Sequence, residues 1–178
     1  MTDSKAGIVT NYDAATIYLH WLTAILIIAL WLIAMTDDWF PRGPLRDTVK
    51  SLHVVLGFAA VFVTAARIVW RSSFGLRLAP ASSGLLYLAG EAVHYLLLVL
   101  LVAALATGIV TASYRASSIF SLWHVPQFGT GDRAIRRSLK EWHELAAHTL
   151  LIVAAVHAMA ALMHQFMWRD RLIDRMRR

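Results

Sequence analysis

Four apolar stretches of about 20 residues, near Ile17 to Met35, Leu52 to Trp70, Ala92 to Ala112 and Leu145 to Met167, constrain this chain more than any motif does. Each is long enough to cross a hydrocarbon core as a helix. Together they use most of the 178 residues, so the chain reads as a single transmembrane domain over residues 1–178 with no room for a soluble one. A hydrophobic content of 58% and a mean hydropathy of +0.58 agree. The connection TDDWFPRGPLRDTVK after the first stretch and RSSFGLRLAPASSG after the second carry the Pro, Gly and Ser of turns. Short connections favour antiparallel neighbours, which predicts an all-α, integral membrane, antiparallel four-helix bundle. The leading MTDSKAGIVTNYDAATIYLHW lacks a basic n-region and a small-residue cleavage site, so the first stretch reads as a retained span.

The third connection, Tyr114 to His143, is about 30 residues long and holds Trp123, Pro126, Phe128 and the basic run RAIRRSLK. It leaves room for a short amphipathic helix lying at the interface. Charge says little about orientation. With both termini on one side, that side collects nine Lys and Arg residues, among them Lys5, Arg67, Arg71 and the tail arginines, and the other collects eight. A net charge of +6 would suit nucleic acid in a soluble protein. Here the arginines flank spans, so membrane lipid or an anionic substrate is the expected partner, not nucleic acid.

With no cysteine, iron–sulfur clusters, C-x-x-C-H haem attachment, disulfides and thiol catalysis are excluded. Histidine, carboxylate and arginine are left to carry the chemistry. His143 and His157 are 14 residues apart on one span. At about 100° per residue both project from one helix face, roughly 21 Å apart along the axis. His20 opens the first span and His53 the second. In an alternating bundle His20 shares a membrane side with His157, and His53 shares the other with His143.

Two facing imidazole pairs at two depths are what bis-histidine ligation of two b-type haems requires. Small residues near the ligand face, Gly57, Ala146, Ala147, Ala154, Ala160 and Ala161, leave space for porphyrin, and they equally serve helix packing. Intramembrane ionisable groups are costly and usually functional. A metal-transport column would add carboxylates within the spans, whereas Glu91 and Glu144 lie only near span ends. His94 enters the third span from the same side as His20 and rivals it as the partner of His157. His148 falls about 140° from the ligand face. His164, one heptad beyond His157, is placed to contact a propionate or quinone. His124 lies in a loop, and Met159, Met163 and Met167 suit a lipid-facing role better than ligation.

Through IYLHWLTA, LHVVLG, EAVHYLLL and SLKEWHELAAHTLLIVAAVHAMAALMHQFMWRD, the chain resembles the bacterial cytochrome b561 family of small di-haem b cytochromes nearly end to end. The resemblance implies ligands at His20, His53, His143 and His157, paired His20/His157 and His53/His143, and thereby sets His94 aside. It also implies a bacterial inner-membrane location with cytoplasmic termini, and either superoxide oxidation with ubiquinone as acceptor or a relay subunit linking a periplasmic oxidoreductase to the quinone pool. On that reading Arg133, Arg136 and Arg137, with Arg115 and Lys140, steer a small anion or equally contact lipid headgroups and propionates. Arg67 and Arg71 neutralise propionates or snorkel to the interface, and His94, Glu91, Arg71 and His164 are candidates for a quinone site.

Overall fold

The computed structural model describes residues 11–80, 83–129 and 132–177, so Lys5 and Arg178 lie outside the described residues. Four long helices account for the fold: α1 (Ala14–Thr36), α2 (Pro44–Ser73), α3 (Gly84–Tyr114) and α4 (Arg133–Met163). Each is long and apolar enough to cross a membrane. Asp13 starts α1 by accepting the Thr16 N–H at 2.9 Å, and Pro44, which has no N–H to lose, occupies the first turn of α2. Beyond Met163 the last helix continues as a π turn, His164–Trp168, and stops where Arg169 adopts φ 58°.

The helices overrun the expected spans at their charged ends. Polar residues such as Arg46, Asp47 and Lys50 break the apolar run but not the helix, because the ion pairs and backbone bonds available outside the hydrocarbon support them. RAIRRSLK likewise forms the first turns of α4, with Asp132 capping the Ala134 N–H at 2.7 Å, so among the described residues it is part of the span's own helix and not a separate interfacial one. The connection instead holds a two-stranded antiparallel hairpin, β1 (Ser118–Ile119) with β2 (Trp123–His124). Ser51, 2% exposed, pins it to α2 by accepting the Phe120 N–H at 2.9 Å.

The bundle is built from two hairpins, α1 packed along α2 and α3 along α4, with a shorter contact between α2 and α3. Leu101 and Ala104 of α3 and Leu150 of α4 form the buried middle layer, against which Ile27 of α1 packs. Leu150 is seven residues from both His143 and His157, so this layer separates two levels of histidine. Outward positions such as Ile25, Phe62, Val99 and Ile152 are exposed, as lipid-facing side chains are. The distal end carries the α1–α2 turn and the α3–α4 connection. The terminal end carries the α2–α3 connection and the tail, which folds back so that Trp21 Nε1 donates to the Met176 carbonyl at 3.0 Å.

Candidate functional site

At the distal level His53 projects from α2 and His143 from α4. Their ring centres are 6.2 Å apart and their planes lie at 86°. His53 Nδ1 is 3.1 Å from the Leu30 carbonyl, and His143 Nδ1 is 2.9 Å from the Ala104 carbonyl. A carbonyl only accepts, so each Nδ1 carries the proton and each Nε2 keeps a free lone pair. The main chain of α1 and α3 thus fixes both the tautomer and the orientation. Gly108 makes this possible for His143, since a Cβ there would lie 3.0 Å from His143 Cε1.

The terminal level gathers His20 from α1, His94 from α3, His157 from α4 and Arg67 from α2. His94 and His157 have ring centres 5.2 Å apart. Arg67 Nη2 lies 3.3 Å from His20 Nδ1, and because a guanidinium can only donate, His20 Nδ1 is the acceptor there. A positive charge on His94 or His157 would be felt at His20, so the three rings share one level. His20, His53, His143 and His157 are half-buried, whereas His94 is exposed.

Other residues singled out in the sequence are spread between both ends and the lipid face. Arg71 donates to the Leu76 carbonyl at 2.6 Å and stacks over the Tyr12 ring. His164 pairs with the Asp170 carboxylate at 2.5 Å. His148 turns to the Glu144 carbonyl and to the edge of Trp31, and His124 sits exposed on β2. Met159, Met163 and Met167 are exposed on the apolar surface. At the distal end Arg115, Arg133, Arg136, Arg137 and Lys140 come together as the lining of one cavity of about 410 Å³. Arg137 and Lys140 are paired with Glu141 and Glu144, at 2.8 and 2.6 Å.

The residues present fit haem on three counts. Two in-line metal–imidazole bonds of about 2 Å each place ring centres roughly 6 Å apart, which matches His53 and His143. An apolar cavity of about 120 Å³ lies among α1, α3 and α4, lined by Thr23, Ala24 and Ala154, a turn from His20 and His157. Gly57, a turn from His53, has nothing within 4 Å of where its Cβ would be, and the buried Thr64 hydroxyl on the same face of α2 has no partner among the described residues. Thr107, whose Oγ1 lies 3.4 Å from His143 Nδ1, and Gly108 do not stand out in the sequence, although a polar and a small residue side by side in an apolar span are the signal. The carbonyls of Leu30 and Ala104 leave no trace in residue identity.

Comparison with known proteins completes the assignment. The family described as Prokaryotic cytochrome b561 matches residues 11–178. The chain belongs to this family. It is 25% identical over 168 residues to the "Probable superoxide oxidase CybB" of Yersinia pestis, covering 93% of this chain and 95% of that one. It is 27% identical over 176 residues to "Cytochrome b561 homolog 2" of Escherichia coli (strain K12), covering 93% and 90%. "Cytochrome b562" of Cereibacter sphaeroides is 30% identical over 183 residues, covering 94% and 96%. As a cytochrome b561 the chain is a multi-pass protein of the bacterial inner membrane that binds haem b and transfers electrons.

Proposed function

We propose that the protein holds two haem b groups, one between His53 and His143 and one between His20 and His157, and passes electrons from superoxide to ubiquinone. The observation that carries the reading is the distal pair, two imidazoles at ligating separation whose Nδ1 atoms are committed to carbonyls. At the terminal level His94 and His157 belong to one hairpin, α3–α4, with ring centres 5.2 Å apart, closer than the roughly 6 Å that an intervening iron asks for. His20 and His157 come from different hairpins, as His53 and His143 do. The half-buried state of His20 against the exposure of His94 supports the same choice.

Haem held by these histidines would supply one-electron transfer. The chain supplies the rest. Arg115, Arg133, Arg136, Arg137 and Lys140 concentrate a small anion at the distal mouth, and their field weakens with salt. Two superoxide ions each give up one electron and leave as oxygen, while one quinone takes up two electrons and two protons. At the terminal end Arg71 neutralises a propionate, and His94 and Glu91 offer hydrogen bonds to a quinone. His164, its Nδ1 held by the Asp170 carboxylate, offers its Nε2 to the quinone. The Arg-rich tail beside that end supports cytoplasmic termini and a periplasmic distal face.

Rapid mixing of superoxide with the oxidised, purified protein tests the reading. Haem reduction beyond dismutation controls, followed by ubiquinone-dependent reoxidation, is the expected result. No reduction would leave a relay subunit for a periplasmic oxidoreductase as the function.

A further inference from the structure

The charged side chains next to the imidazoles differ between the two levels. Besides the facing imidazole of His143, which acts first on His53, the charged groups that act on the distal rings are carboxylates, Asp37 on His53 and Glu144 on His143, and each is ion-paired, with Arg46 and Lys140. At the terminal level Arg67 acts on His20 and His157, while at His94 the Glu91 carboxylate acts first and Arg67 and Arg71 oppose it. Arg67 is half-buried within α2, and no carboxylate pairs with it among the described residues. A guanidinium keeps its charge there, because it does not give up its proton in proteins.

Ligand basicity differs in the same sense. Donation from Nδ1 to a carbonyl, as His53 and His143 both do, makes an imidazole a stronger electron donor and favours oxidised iron. His20 has a cation at that position instead of a carbonyl. An imidazole that ligates through Nε2 carries its proton on Nδ1, so the guanidinium turns from the ring on ligation, yet its charge stays anchored to α2 within the same level.

We propose that Arg67 makes the terminal centre the electron sink of the pair. Its fixed charge beside His20 favours the reduced state there, while carbonyl-bonded imidazoles and carboxylates favour the oxidised state at the distal centre. One electron crossing the bundle then oxidises the distal iron and reduces the terminal one, with no proton exchanged, and flow is directed towards the tail. The inference rests on the two-haem reading given above.

Redox titration of the full-length protein, followed by its visible spectrum, reads both midpoints. In Arg67→Met the higher midpoint falls by about 59 mV or more, a tenfold change in the one-electron equilibrium. The lower midpoint stays in place and two haems per chain are retained. Arg67→Lys, which keeps the charge, stays close to the parent protein. Unchanged midpoints, or an equal shift in both, would overturn the proposal. So would a rise of the higher midpoint, which would mean that Arg67 holds His20 as an imidazolate. Should the Met variant lose a haem, Arg67→Gln carries the same comparison. Loss in both, with retention in Lys, would overturn the proposal by assigning Arg67 to holding the group. A parent protein with fewer than two haems would refute the two-haem reading instead, so the two failures are distinct.

Discussion

His53 and His143 face each other at 6.2 Å with their Nδ1 atoms turned away, towards carbonyls of α1 and α3. Neither ring satisfies the other, so both Nε2 atoms are available to one central atom. His53→Ala and His143→Ala are therefore expected to lose the same haem and keep the other, each halving the Soret intensity, and the double variant to lose no more than either alone. Additive losses in the double variant would contradict the pairing.

Gly108 lies against the edge of the His143 ring, where a methyl group would come within 3.0 Å of Cε1. Gly108→Ala must push the ring or the helix aside, an overpacking cost of roughly 1–3 kcal/mol. The expected outcome is a lower Tm and weaker haem retention at the distal level alone, measured by melting followed at the Soret band. Gly57→Ala, with open space before it, should alter stability little without haem and weaken haem binding when haem is supplied. Equal behaviour with and without haem would argue against porphyrin in that space.

Asp13 ties the start of α1 to the end of α2. Burial pushes its carboxyl up, but donation from Thr16, the Leu76 N–H and the Trp70 indole outweighs this and holds it well below its ordinary 3.8. A depressed carboxyl contributes stability that is fully present above the unfolded value and is lost as pH falls through the folded one. The Tm gap between the parent protein and Asp13→Asn should thus be widest above about pH 4 and narrow below it. A gap independent of pH across melts from neutral to acid would contradict this role.

Much of this architecture was legible because a bilayer imposes simple rules. Four apolar runs gave four helices, and the 14-residue interval from His143 to His157 gave two levels on α4. The level of each histidine followed from its place in an up-and-down path. What the path did not contain was azimuth. His94 and His20 enter at the same depth, and only packing within the α3–α4 hairpin brings His94 to 5.2 Å from His157. Contacts made by backbone carbonyls were equally invisible, since Leu30 and Ala104 act through atoms every residue has. RAIRRSLK belongs to α4 and not to a separate interfacial helix because charge ends a membrane span without ending a helix.

The five cations at the distal mouth carry a prediction of their own. Arg133→Gln combined with Arg136→Gln should slow haem reduction by superoxide several-fold at low ionic strength, with the difference fading as salt approaches about 0.15 M and beyond. Haem content should not change. A deficit that persists at high salt would point to a structural defect instead of lost steering.

The most direct test is the haem inventory of the purified protein, read by pyridine haemochrome together with the spin state of the iron. Two haem b groups per chain, both six-coordinate and low-spin, are the result expected from four imidazoles arranged as His53/His143 and His20/His157. A colourless protein, a single haem, or high-spin iron with an open position would contradict it.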